Sequence, residues 1–203
     1  MKQLALGISQ PPEPRFENFV PGANAELLAR LRDLAAGGLQ ESIVYLWGEP
    51  GSGRSHLLAA ASSAAVRPIV LADDVEALDQ EGQLTLFRRI NEVRESGGVV
   101  LAAGAAPPSQ LPLREDLRSR LAWGLVYQVK PLTDSERALY LRAEAERRGM
   151  RLADDVVSYL LTHVRRDLPS LGAILDELDR VSLERQRTVT LRLVRETLKT
   201  GAP

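Results

Sequence analysis

The residues with the clearest chemical promise lie between Ile43 and Ala61, in the run Ile-Val-Tyr-Leu-Trp-Gly-Glu-Pro-Gly-Ser-Gly-Arg-Ser-His-Leu-Leu-Ala-Ala-Ala. Gly48, Gly53, Arg54 and Ser55 meet the spacing G-x-x-x-x-G-[basic]-Ser, and Gly51 adds a third glycine. Glycines so placed let the backbone turn tightly with its N–H groups inward, an arrangement that suits phosphate oxygens. In such a P-loop the cation reaches the phosphates and the hydroxyl holds Mg²⁺. Arg54 departs from the pattern, which has Lys there. A planar guanidinium fork does not simply replace a point-charge ammonium between two phosphates. Nearly all the basic residues of the chain are Arg, so Arg54 also fits a general compositional preference.

A second acidic site follows. Ser55 and Asp73 are separated by only eighteen positions, and Ile69-Val-Leu-Ala72 leads into the pair Asp73-Asp74. Four apolar residues before the pair place it at a strand end. There the first acid would hold Mg²⁺ through water and the second would orient an attacking water. Paired Asp also favours an ordinary capped turn; a P-loop in the same chain favours the site. Asp74 is shorter than the glutamate usual for a base, a weaker base position. The nucleotide set is then Gly48, Gly51, Gly53, Arg54, Ser55, Asp73 and Asp74, with Ser55 and Asp73 on Mg²⁺.

These residues need elements to hold them. Ile43–Trp47 is apolar, β-branched and aromatic, a buried strand, and the Leu/Ala-rich stretch from Ser55 is a helix. A bare glycine-rich turn would not require both. Before them, Phe16 and Phe19 precede a helix with Asn24 as N-cap and Leu27, Leu28, Leu31 and Leu34 on one face, ended by Gly37-Gly38. After them come a helix over 83–96, a strand over 99–103, a short charged helix over 114–121 and a strand over 125–129. Alternating strands and helices predict an α/β domain with a mostly parallel sheet. From Pro131 the pattern is helical only: a capping box Thr133-Asp-Ser-Glu136, then helices over 154–164, 168–185 and 190–199. The expected division is an extended arm at 1–14, an α/β domain at 15–130 and a small helical domain at 131–203.

Composition excludes several classes. A net charge of −1 argues against coating nucleic acid by electrostatics alone, and with no cysteine there are no disulfides or thiolate metal sites. The longest uncharged apolar-leaning run, Leu57–Val66, is too short to span a bilayer. The expectation is a soluble cytoplasmic protein.

Four stretches carry a family resemblance: Phe16-Glu-Asn-Phe-Val-Pro-Gly-Ala-Asn24, Tyr45 to Leu58, Leu117-Arg-Ser-Arg-Leu-Ala-Trp-Gly-Leu-Val-Tyr127, and Leu175-Asp-Glu-Leu-Asp-Arg180. With the N-terminal Gln3-Leu-x-Leu, they resemble the AAA+ ATPases, and within them the bacterial initiator DnaA and the short DnaA homologues of the Hda type. The resemblance implies an AAA+ sheet domain followed by a helical lid. Only eighteen positions between Ser55 and Asp73 imply a sheet shortened by one edge strand. The resemblance also implies that Gln3, Leu4, Leu6 and Ile8 dock on the β sliding clamp of DNA polymerase III. It makes Arg120 an arginine finger acting in trans on a neighbour's nucleotide, with Arg118 the competing candidate.

Against the family pattern, Ala105 and Ala106 stand where a sensor-1 Asp is expected, and Pro169 stands at the sensor-2 arginine position, unless Arg165 or Arg166 substitutes. With Arg54, these departures imply little ATPase of the chain's own, ADP (or ATP) with Mg²⁺ as ligand, and a regulator that stimulates ATP hydrolysis by DnaA from the loaded clamp. Its association with DNA and the nucleoid would be indirect, and self-association is open. The rival readings are an active ATPase of the initiator or helicase-loader type, and a nucleotide-free clamp adaptor.

Overall fold

The computed structural model describes residues 13–200, which fall into two compact units, Glu13–Pro131 and the stretch from Leu132 onward. The first unit is a parallel sheet of four strands, β1 (Ile43–Trp47), β2 (Ile69–Ala72), β3 (Val99–Gly104) and β4 (Leu125–Gln128), in the order β2-β3-β1-β4. Helices α1 (Ala25–Ala35), α2 (Arg54–Ala64), α3 (Gln80–Ser96) and α4 (Glu115–Ala122) cover it. Strand alternation sorts the core into two layers. Val44 and Leu46 face a cluster with Leu31 of α1 and Leu57 of α2. Ile43 and Tyr45 face the other, with Ile90 of α3 and Leu117 and Leu121 of α4. Burial on both faces explains why β1 and β3 read as continuous apolar runs.

Helix α2 passes through only residues 65–68 into β2. Arg67 holds this short connection by donating from Nη2 to the Leu39 carbonyl at 2.7 Å, and Val66 N–H donates to Ala35. No strand intervenes, so β2 lies at the sheet edge with β3 as its one neighbour, and Leu71 is partly exposed. The sheet is shortened at an edge, where a missing strand leaves the β3-β1 centre intact.

Asn24 differs from expectation. It precedes α1, yet its side chain does not cap the helix. Nδ2 donates to the Lys130 carbonyl and Oδ1 accepts from the Lys130 N–H, both at 2.8 Å. A long-range two-way bond outcompetes the local cap and ties the start of α1 to the residue that follows β4 by two.

The second unit holds α5 (Asp134–Arg147), α6 (Asp154–His163), α7 (Leu168–Arg185) and α8 (Leu191–Thr200). Leu141, Val157, Leu160, Leu171, Leu175, Leu178 and Val194 form its core. The Thr133 hydroxyl accepts from the Glu136 N–H, and the Glu136 carboxylate accepts from the Thr133 N–H, so the capping box is complete. Among the described residues no helix is long and apolar enough to cross a membrane.

Candidate functional site

The loop between β1 and α2 is fixed by close packing as well as by glycine. A Cβ on Gly48 would stand 2.5 Å from the Val129 carbonyl oxygen, so only glycine fits between the loop and the end of β4. Gly53 has φ +100°, and a Cβ there would meet the Phe19 ring at 2.8 Å. Phe19 also lies 5.6 Å from the His56 ring, and His56 Nε2 donates to the Arg15 carbonyl at 2.9 Å. The segment before α1 is thereby pinned on the first turn of α2. The N–H groups of that turn have no intrahelical partner and carry the positive end of the helix dipole.

Arg54 does not extend freely from this loop. It is buried, and its Nη2 pairs with Asp74 Oδ1 at 3.3 Å. Asp74 lies just beyond β2 in the left-handed region (φ 44°, ψ 52°), and its N–H donates to Asp73 Oδ1 at 3.0 Å. The two segments singled out in the sequence therefore meet. Ser55 and Asp73 are both exposed, a hydroxyl and a carboxylate open to solvent.

Ser52 Oγ and Arg54 Nη1 are buried with no hydrogen-bond partner. Such orphaned polar atoms in a glycine cradle fit a phosphate. The residues that would hold a nucleotide are the loop backbone from Gly48 to Gly53, Arg54 and Ser55. No group of three or more His, Cys, Asp or Glu among the described residues could hold a metal alone, so a Mg²⁺ ion at Ser55 and Asp73 would depend on phosphate oxygens to complete its shell. When bound, the ion would neutralise phosphate charge.

Two residues gave no signal in the sequence. Glu76 Oε1 accepts from the Ala105 N–H at 3.0 Å, and Tyr45 donates its hydroxyl to the Ala106 carbonyl at 2.9 Å. They hold by backbone contacts the turn after β3, where alanine supplies no polar side chain. Burial raises the Tyr45 pKa and the Glu76 carboxylate raises it further, with Arg54 opposing. A lone Glu in a turn and a Tyr inside an apolar strand carry no motif, so only the fold reveals them.

Arg120 lies on α4, its guanidinium 4.6 Å from the ring centroid of Trp123 and 5.8 Å from that of Phe87. It has no ion pair among the described residues. In the second unit Pro169 occupies the second position of α7, and the preceding Asp167 accepts from the Ser170 N–H. Arg165 pairs with Asp167 at 3.3 Å and Arg166 with Asp134 at 3.7 Å, so both neighbouring arginines are engaged within their own unit. Gln3, Leu4, Leu6 and Ile8 lie outside the described residues.

Comparison with known proteins adds two findings. The chain's fold is similar to domain III of the Thermotoga maritima replication initiation protein DnaA, at TM-score 0.78 and 21% identity, covering 94% of this chain and 97% of that one. It is also similar to AMPPCP-bound DnaA from Aquifex aeolicus (TM-score 0.70, 18% identity, 94% of this chain and 69% of that one). The Thermotoga maritima RuvB Holliday junction branch migration motor follows at TM-score 0.63 and 15% identity, covering 92% and 72%. A P-loop sheet unit followed in the chain by a small helical unit is the AAA+ fold. Residues 134–198 match the family model described as the lid domain of Hda. The helical unit is thus similar to an Hda lid domain, and the chain as a whole shares the fold of DnaA domain III.

Proposed function

We propose that this protein regulates replication initiation by stimulating ATP hydrolysis on a DnaA-type initiator, from a seat on the DNA-loaded β sliding clamp, so that origins do not refire. The observation that carries this reading is the Hda lid match at residues 134–198. The site supports the same direction. Arg54 is taken up by Asp74, the turn after β3 offers alanine, and the first turn of α7 holds Pro169, so the means for turning over its own nucleotide are depleted. Arg120 has no ion pair among the described residues and is available to a neighbour. A guanidinium delivered in trans stabilises charge on a transferring phosphoryl group, an effect of about 10³–10⁵ in rate in well-studied NTPases.

Its own loop retains ADP, or ATP, with Mg²⁺ on Ser55 and Asp73, as a structural ligand with little hydrolysis. Gln3, Leu4, Leu6 and Ile8 make the clamp contact, apolar anchors entering a pocket while Gln bonds the rim. DNA is approached through the clamp, which places the protein in the cytoplasm at the nucleoid, and self-association is a further route to bringing Arg120 to a neighbour's nucleotide. One observation favours a second reading, a nucleotide-free clamp adaptor: Asp74 already neutralises the cation that phosphate would need.

The test is turnover of initiator-bound ATP with clamp loaded on DNA, with and without this protein. Acceleration only when clamp, DNA and this protein are all present supports the regulator. Clamp binding without acceleration supports the adaptor. Turnover on the order of 1 s⁻¹, an ordinary enzyme rate, by the protein alone would instead make it a motor of the initiator or helicase-loader type.

A further inference from the structure

We infer that Arg54 and Asp74 form a latch on this protein's own phosphate site, in which the Asp74 carboxylate competes with an incoming phosphate for the Arg54 guanidinium. The inference rests on the reading that the loop retains nucleotide, and it assigns the residue that sets how tightly.

Arg54 is the first residue of α2, directly after the glycine loop, but its side chain is only 10% exposed and is directed to the end of β2. Nη2 holds the Asp74 carboxylate while Nη1 stays buried without a partner. A guanidinium spans enough width for this half-engaged state, whereas a lysine ammonium concentrates its donors at one point. The buried cation is thus neutralised from within the protein, and the N–H donors of Nη1 are unspent.

Asp74 is built for this contact. Its backbone is left-handed, a conformation that Asp and Asn tolerate better than other side chains. Its N–H is held by the Asp73 carboxylate, which fixes the turn that directs Asp74 to the loop. Yet the Asp74 side chain is 61% exposed, so its carboxylate is already largely hydrated and meets no desolvation cost on release into water. The unequal exposure gives the pair its direction: the aspartate can leave and the arginine cannot. A phosphate arriving at the loop takes a guanidinium already positioned beside it, and Asp74 is displaced to solvent.

Competition differs from simple repulsion between Asp74 and phosphate. Repulsion acts whether or not Arg54 is present. A latch makes the effect of Asp74 depend on Arg54, and a double-mutant cycle reads that dependence.

The experiment is calorimetric titration of ADP into the full chain, stripped of copurified nucleotide, in EDTA so that no Mg²⁺ contact of Asp73 or Asp74 contributes. Wild type, Asp74→Asn, Arg54→Gln and the double variant are compared. Asn keeps the left-handed backbone accessible, and thermal melting without ADP checks that each variant is folded. Asp74→Asn is expected to tighten ADP binding about tenfold where Arg54 is present and about threefold or less where it is Gln, a coupling within the range of neighbouring charged pairs. Equal gains in both backgrounds would reduce Asp74 to a repelling charge and overturn the latch. Unchanged or weaker binding by Asp74→Asn would overturn it as well, while ADP binding by the wild type would leave the nucleotide reading standing. Folded protein that binds ADP in none of the four forms would overturn both together and favour the adaptor.

Discussion

Arg120 stands over the exposed face of Trp123, its guanidinium carbon 4.6 Å from the ring centroid. The indole is 71% exposed, so it serves as a platform for the arginine while Leu117 and Leu121, both fully buried, anchor α4 beneath. Trp123 itself does not anchor the helix; the buried leucines do that work. A cation held on an aromatic face keeps its N–H edge free for a phosphate. Arg120→Ala should retain clamp binding and thermal stability yet lose stimulation of initiator ATP hydrolysis. Arg120→Lys should restore little, since a point charge does not reproduce the fork. Trp123→Ala should lower stimulation severalfold by loosening the arginine, again without loss of folding. Full stimulation by the Arg120→Ala protein would remove the assignment, and loss confined to Arg118→Ala would move it two residues back.

Clamp binding is expected to reside in the arm. Replacing Gln3, Leu4 and Leu6 together with Ala should abolish capture on immobilised clamp and leave the thermal melt unchanged, as expected of an arm that precedes the α/β domain. A triple variant that binds clamp as tightly as wild type would end this part of the proposal.

Asn24 offers a test of fold rather than function. If it were an N-cap, Asn24→Ser would be nearly neutral, as serine caps about as well. As a tie to Lys130, Asn24 supplies both a donor and an acceptor across the chain, and serine is too short to do so. Both Asn24→Ser and Asn24→Ala should therefore cost about 1 kcal/mol or more, the loss of two hydrogen bonds in a part-buried site. Urea unfolding of the three proteins measures it, and a neutral serine variant would return Asn24 to the helix cap.

What the sequence made legible was set by range. β1 at Ile43–Trp47 and α7 at Leu168–Arg185 fall where their patterns place them, because apolar period and flanking turn residues decide such elements locally. The shortened edge is also local information: four residues between α2 and β2 leave no room for a strand. The Arg54–Asp74 pair, the Asn24 tie and the Glu76 support of Ala105 join residues 20, 106 and 29 positions apart. No periodicity encodes such contacts. Both halves of the candidate phosphate site were therefore visible as motifs, while the Arg54–Asp74 contact that joins them was not.

Tyr45 carries a prediction with a definite sign. It is fully buried on β1, donates to the Ala106 carbonyl, and has a pKa raised by burial first and by the Glu76 charge second, with Arg54 opposing. An unfolded tyrosine ionises near pH 10. With its folded value higher, the phenol contributes stability that is complete below about pH 10 and is lost as pH rises from there, because only the unfolded chain releases the proton easily. Tyr45→Phe removes the donor and leaves the Ala106 carbonyl without it, at a cost of about 1 kcal/mol near pH 7. The variant has no phenol to ionise at this position, so its stability should fall less steeply above pH 10. Tyr140, whose pKa is also raised by burial, is common to both proteins and cancels in the difference. Unfolding free energies at pH 7, 9, 10.5 and 11 should show the two proteins converging, and then Tyr45→Phe becoming the more stable. A difference that stays constant over this range would mean that the Tyr45 phenolate forms in the folded state as easily as in the unfolded chain.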